Sequence, residues 1–328
     1  MNQSPSVSIL ILNWNGLDYT TNCLDSLVKI NYQNYNIIIV DNGSENNEAN
    51  VLKKKYSESI QVISNPENVG FAEGNNIAIR EAIKNNSEYC CLLNNDMIVK
   101  PDFLSEMVRI ASQDPKIGMV APRSMKMDNH EEVDNLGIVM TLSGLTFNRK
   151  TLKHKMFCPS GGAVLYSTKV LQLTSENNTF LDSKYFAYAE DLDLGFRILL
   201  AGYKPAYADN SVVYHKGSAS TSVMSDFTIS HSQRNFIWTI IKDFPLSFIM
   251  INFIWILIMQ IGVLLLYIKR NKLHLIINAY INAFKDADGF FRKRKVIQGN
   301  KKISTFGLWK YIEIKVFLAS YFIQAIKK

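Results

Sequence analysis

No GxGxxG follows the first strand-like run of this 328-residue chain, and neither GxxxxGK[ST] nor GxSxG occurs anywhere in it. A dinucleotide-dependent dehydrogenase, a P-loop NTPase and an α/β-hydrolase each lose the glycine-built turn their chemistry needs. Cysteine is scarce, and the four present (Cys23, Cys90, Cys91 and Cys158) lack metal-ligand spacing. They read as small apolar core residues of a reducing compartment, with Cys90 and Cys91 on opposite faces of a strand. No charged-then-apolar leader with a small-residue cleavage site opens the chain, so its first part is expected in the cytosol. Charge of either sign is missing from 246–268, 23 residues that suffice at helical rise to cross a bilayer.

The charge that is present is unevenly placed. Residues 1–268 hold 22 Lys/Arg and 26 Asp/Glu, whereas 269–328 hold 14 and 3, so the net +7 is a property of the tail. A basic tail suits nucleic acid or anionic lipid, and the apolar run just before it decides for lipid. Within the tail, 273–298 and 303–326 read as amphipathic helices, with a basic run at Arg292-Lys293-Arg294-Lys295.

Strand-like runs at 7–12, 37–40, 60–63 and 89–93 end in Asn13, Asp41, Ser64-Asn65 and Asn94-Asn95-Asp96. A single Asn or Asp can simply start a turn. Four in succession put a row of polar groups along the carboxyl edge of a sheet, where open α/β sheets bind ligands. Helix-like stretches at 19–28, 46–56 and 71–84 alternate with these runs, which predicts βαβ units and a mainly parallel sheet. Pro101-Asp102 opens another helix, 117–121 forms a fifth strand, and 124–157 lose the rhythm as a hairpin or long loops. A small-residue run through Gly161-Gly162 enters a strand, a helix at 192–201 stops at Gly202, and strands at 204–208 and 211–214 lead to His215. The expected division is a catalytic domain over 1–240 and an apolar, basic helical region over 241–328.

Three groups can carry chemistry. Asp41 can accept from a ribose or base edge. Asp96 can ligate Mg²⁺ or Mn²⁺ held with a nucleotide diphosphate, because phosphates and waters fill the remaining positions. His215 can add a nitrogen that suits Mn²⁺, or serve as a hydrogen-bonded loop histidine. Glu190-Asp191-Leu192-Asp193 complements a helix dipole with Asp191 as the cap, or supplies a general base. Spacing leaves both readings open.

Taken together, the motifs resemble those of the family 2 glycosyltransferases, in particular a rhamnosyltransferase-like branch that elongates bacterial cell-surface polysaccharides. They are Val7-Ser8-Ile9-Leu10-Ile11-Leu12-Asn13-Trp14-Asn15-Gly16, Val40-Asp41-Asn42-Gly43-Ser44 and Asn65-Pro66-Glu67-Asn68-Val69-Gly70-Phe71-Ala72-Glu73-Gly74-Asn75-Asn76. Leu93-Asn94-Asn95-Asp96, Ser160-Gly161-Gly162-Ala163, Tyr188-Ala189-Glu190-Asp191-Leu192-Asp193 and His215-Lys216-Gly217-Ser218-Ala219-Ser220 follow in the family's order. The resemblance implies a GT-A fold: an α/β, Rossmann-like catalytic domain, here followed by a helical membrane-associated region. It implies donor contacts from Asn13, Asn15, Asp41, Asn68, Gly74, Asn75, Asn94, Asn95, Asp96, Gly161 and Gly162. Asp96 and His215 would hold Mg²⁺ or Mn²⁺, and Asp191, with Glu190 beside it, would be the catalytic base. The chain departs from the fuller acidic motif at Asn94 and from a second histidine at Lys216.

The implied reaction is transfer with inversion from a nucleotide-sugar (dTDP-rhamnose or UDP-hexose type) to a lipid-linked or polysaccharide acceptor at the cytoplasmic face of the cell membrane. One crossing at 246–268 would export the basic tail against the positive-inside bias, so interfacial association is expected, with Arg292, Lys293, Arg294 and Lys295 held to anionic lipid. A homo-oligomer is compatible with this reading. The alternatives are transfer to a polyprenyl phosphate and an inactive nucleotide-sugar-binding scaffold.

Overall fold

The computed structural model describes residues 4–217 and 225–314. Its first half is built of β1 (Val7–Asn13), α1 (Leu17–Leu27), β2 (Tyr35–Asn42), α2 (Glu48–Tyr56), β3 (Gln61–Asn65), α3 (Gly70–Lys84) and β4 (Tyr89–Leu93). These strands run parallel in the order β3-β2-β1-β4. The crossover connection that parallel strands require is supplied by each intervening helix. Alternate residues feed opposite cores. Leu10, Ile38, Val40, Cys90 and Leu92 meet α3 through Ala72 and Ile79, while Ile9, Ile11, Ile37, Ile39 and Cys91 meet α1 through Cys23 and Leu24. All four cysteines are buried and unpaired.

Beyond β4 come β5 (Met97–Val99), α4 (Phe103–Ala111), β6 (Ile117–Lys126), β7 (Val133–Asn135), β8 (Ile138–Thr141), β9 (Thr146–Asn148) and β10 (Ala163–Ser167). They are followed by α5 (Thr168–Thr174), α6 (Glu190–Leu200) and β11 (Lys204–His215). Antiparallel β10 lies between β4 and β6, and β11 joins β6 in parallel, so the sheet is mixed but mostly parallel. The two short strands expected at 204–208 and 211–214 are one strand with a register shift between Ala208 and Val212. The hairpin anticipated within 124–157 is β8–β9.

The C-terminal part holds α7 (Asp226–Asp243), α8 (Leu246–Lys269), α9 (Leu273–Lys285), α10 (Ala287–Gly299), α11 (Thr305–Leu308) and β12 (Ile312–Glu313). The division expected after residue 240 falls within α7, and the single helix expected at 273–298 breaks at Asp286. The second amphipathic stretch is described only as far as residue 314; the rest of 303–326 lies outside the described residues.

These helices are tied to one another and, through β12, to the sheet-bearing part. The Trp238 ring stacks on Phe290 at 4.5 Å, its Nε1 donates to the Ala283 carbonyl, and β12 adds a parallel strand to β8. Here the sequence expectation for the basic run needs correction. Lys293 Nζ lies 2.7 Å from Asp182 Oδ2 and Arg294 Nη1 donates to the Ile241 carbonyl, which leaves only Arg292 and Lys295 exposed. A buried carboxylate outcompetes a solvated lipid headgroup for Lys293, because the interior screens the attraction far less than water does.

Among the described residues α8 alone is long and apolar enough to cross a membrane, and only 17% of its most apolar window is buried. It is therefore not a core helix. Met250, Phe253, Ile254, Ile261 and Leu265 face outward, as do Ile277, Ile281 and Phe284 along one side of α9.

Candidate active site

The strand ends that looked like turn starts form one connected polar row. Register pairs Asn13 with Asp41 and Asp41 with Ser64 across β1, β2 and β3. The buried Asn13 amide donates to Asp41 Oδ1 at 2.7 Å and Glu48 Oε2 at 2.8 Å, and its carbonyl accepts from Thr20 Oγ1. Ser44 Oγ donates to the same Asp41 oxygen, and the Asn15 N–H donates to Ser44. Asn68 is held by the Asn42 amide at 2.8 Å and accepts from the Gly70 N–H. Gly74 has a packing reason for being glycine, since a Cβ there would stand 2.5 Å from Leu12 Cδ1. The Asn75 amide is turned back onto the Phe71 carbonyl of its own helix.

The next group sits where β4 ends. The Asn94 N–H donates to the Gly162 carbonyl at 2.7 Å, and the Asn95 amide reaches Thr20 Oγ1 at 3.0 Å. Asp96 is buried; its Oδ2 lies 3.3 Å from His215 Nε2, while its Oδ1 has no partner among the described residues. His215 Nδ1 lies 2.8 Å from Asp134 Oδ2. Burial alone would lower the His215 pKa, but these two carboxylates outweigh it and raise it to about 9.

This arrangement fits a divalent cation. With its pKa raised to about 9, His215 carries both ring protons at neutral pH and bridges Asp134 and Asp96 by itself; a divalent cation would take the place of the Nε2 proton and leave the Nδ1–H on Asp134. Adjacent ligands of an octahedral ion stand about 3 Å apart when bonds are about 2.1 Å. The orphaned Asp96 oxygen offers the charge, and Asp134 orients the imidazole as outer partners of metal-binding histidines do. Asp134 went unnoticed in the sequence because it lies in the unreadable 124–157 stretch. Of the motif that follows His215, residues 218–220 lie outside the described residues.

The acidic motif begins α6, and its cap is Ala189 in a left-handed conformation, so Asp191 is not the cap. Its three acids have separate environments. Asp193 is fully buried, paired with Arg197 at 2.8 Å and Lys242 at 2.5 Å; burial alone would raise its pKa, but those cations hold it well below the usual carboxylate range. Asp191 is partly exposed, and its Oδ2 accepts from the Gly161 N–H at 2.9 Å and its Oδ1 from the Leu192 N–H at 2.7 Å. Glu190 is buried, its Oε2 without a partner among the described residues; burial, then the Asp191 charge, push it up to about 8. Burial also raises Asp191, against the three backbone hydrogen bonds that stabilise its charge. The pair therefore places its first proton on Glu190 and leaves the negative charge on Asp191.

Gly161 and Gly162 join the two halves of the site. A Cβ on Gly161 would stand 3.3 Å from the Asp191 Cβ, and one on Gly162 would meet Met97 at 2.9 Å and the Asn94 amide at 3.4 Å. Small residues are needed here because Asp191 and the Asn94-Asn95-Asp96 turn are packed against one peptide.

The profile described as glycosyl transferase family 2 matches residues 8–173, half of the chain, and the chain belongs to that family. The uncharacterized protein y4gI of Sinorhizobium fredii is 25% identical over 67% of this chain, which spans 25% of that protein. Poly-beta-1,6-N-acetyl-D-glucosamine synthase of Staphylococcus aureus is 24% identical over 61% of this chain and 47% of its own length. A solved structure of the mannosyltransferase PcManGT from Pyrobaculum calidifontis, in complex with GDP-Man and Mn²⁺, superposes with a TM-score of 0.55 at 14% identity. The match covers 100% of this chain and 87% of that one, and it establishes a GT-A-like fold. The chain thus carries a family 2 glycosyltransferase domain followed by a helical region with one long apolar helix.

Proposed function

We propose that this chain transfers a sugar, with inversion, from a nucleotide-diphosphate donor of the dTDP-rhamnose or UDP-hexose type to a hydroxyl of a lipid-linked glycan. The observation that carries the reading is Asp191: alone among the three acids it is partly open, charged and, among the described residues, free of a cationic partner. Its free lone pairs can take the acceptor hydroxyl proton as the oxygen bonds to the anomeric carbon and the bond to the diphosphate breaks. The electron pair leaves on the diphosphate, a leaving group stable enough to need no acid. A Mg²⁺ or Mn²⁺ ion held by Asp96 and His215 would supply Lewis-acid stabilisation of that leaving charge. Asn13, Asp41, Asn68 and the Asn94-Asn95 turn bind the nucleotide side in this reading, and the rhamnosyltransferase-like motifs favour a cell-surface polysaccharide as product. Nucleotide release across a panel of sugar donors, with and without EDTA, tests it; no release with any donor would leave a binding scaffold.

Metal dependence has its own expected result. Asp96→Asn should weaken Mn²⁺ binding, titrated with nucleoside diphosphate present, about 10- to 100-fold, and Asp134→Asn should weaken it less. Unchanged Mn²⁺ affinity in both would move the ion elsewhere.

The outward apolar faces of α8 and α9 and the exposed Arg292 and Lys295 support association with an anionic membrane from the cytosolic side. Arg292→Gln with Lys295→Gln should weaken binding to phosphatidylserine vesicles, each cation contributing about 1 kcal/mol, and leave activity on a water-soluble acceptor intact. Lys293→Met should instead cost about 2 kcal/mol of stability through Asp182 and lower activity on both acceptor types. Equal behaviour of the two variants would mean that Lys293 plays the same role as Arg292 and Lys295.

A further inference from the structure

The segment that delivers the acidic motif is strained. Phe186, Tyr188 and Ala189 all have positive φ, at 62°, 72° and 65°. At Phe186 the angles are φ 62° and ψ −62°, and the Ala187 N–H donates to the Tyr185 carbonyl at 2.7 Å. That is a γ-turn of the rare, strained hand. None of the three is Gly, Asn or Asp, the residues that accept such angles cheaply, so the surroundings must impose them.

Two elements do so. From α3, the Ala72 N–H donates to the Phe186 carbonyl at 3.0 Å, and Gly70 leaves room for the Phe186 ring, which a Cβ would meet at 2.6 Å. From α7, the fully buried Asn235 turns its amide nitrogen to three carbonyls of the turn: Tyr185 at 2.9 Å, Ala187 at 2.8 Å and Tyr188 at 2.7 Å. Three acceptors around one nitrogen fix which way the amide faces. Arg234 supports it, donating from Nε to Asn235 Oδ1 and from Nη2 to the Tyr185 carbonyl. The carbonyls of a relaxed extended segment do not converge on one point; here convergence and strain share one cause.

We infer that Asn235 is the positioning residue for the base: its amide gathers the carbonyls of the turn 185–188 and so sets where Asp191 stands against the Gly161 peptide. The inference rests on the reading of Asp191 as the base. Asn235 touches no reacting atom and acts only through the backbone it holds.

The test compares Asn235→Ala, the double variant Asn235→Ala/Ala189→Gly, and Asp191→Asn, with the donor found in the panel and UDP or dTDP titrated by calorimetry. Asn235→Ala should lower kcat about 100-fold, the cost of a small misplacement, with donor KM and nucleotide Kd within about threefold of wild type. Glycine at 189 removes the left-handed penalty that Asn235 sustains, so the double variant should recover about tenfold in kcat. A residue that merely packs α7 would show no such rescue. Should Asn235→Ala fail to fold, Asn235→Ser, with one donor left, should fold and lose about tenfold in kcat. Full kcat in Asn235→Ala, or no rescue by glycine, overturns the positioning role while Asp191→Asn remains inactive. Full turnover in Asp191→Asn would instead overturn the reading of the base.

Discussion

Asp191→Asn should bind nucleoside diphosphate as wild type does and lose about 10³-fold or more in kcat, within the range of a general base. The amide keeps the size of the carboxylate, so the Gly161 contact can persist while the proton acceptor is lost. Neither neighbour can substitute. Asp193 is committed to Arg197 and Lys242, and Glu190 carries the pair's first proton at neutral pH. Turnover in the wild type should fall as pH drops, with the acid limb above the ordinary aspartate range because burial raises Asp191. Glu190 gives a matching stability signature. Its folded pKa of about 8 exceeds its ordinary 4.5, so its contribution is full below 4.5 and is lost as pH rises towards 8. A kcat above a tenth of wild type in Asp191→Asn would assign the base to another residue.

The second large effect should come from Lys242. Its ammonium is buried, 2.7 Å from Asp182 and 2.5 Å from Asp193, and lies over the Tyr185 ring. Burial would lower its pKa, yet those carboxylates raise it. Lys242→Met removes the cation that Asp182 and Asp193 share, and leaving buried carboxylates short of charge costs about 3–5 kcal/mol. Denaturant unfolding is the measurement, and a loss below about 1 kcal/mol would show that Arg197 and Lys293 compensate. Since Asp182 lies just before the strained turn and Asp193 just after it, the same variant should also lower kcat. Asp193 is held below its ordinary 3.8, so its contribution is present above that pH and is lost on further acidification.

Much of the frame was legible because it rests on local pattern. Apolar runs ending in Asn or Asp, alternating with helix-period stretches, specified the first four strands, their parallel direction and the polar row at their ends, but not the strand order. Helix α5 escaped notice because seven residues carry little periodicity, and α7 because its apolar side is interrupted by Arg234, Asn235 and Lys242. Those interruptions were the signal: polar residues on an otherwise apolar face have buried partners.

The sequence by itself determined the family motifs, the row of strand-end polar groups, the buried cysteines and the apolar helix, since each depends on residues close together in the chain. Tertiary structure decided which acid of Glu190-Asp191-Leu192-Asp193 is free, because Lys242 reaches Asp193 from α7 and Gly161 reaches Asp191 from the approach to β10. It also paired His215 with Asp134 and turned Lys293 and Arg294 inward. A charge's role depends on what stands within a few ångströms of it, and only the fold brings residues 30 to 111 positions apart to that distance.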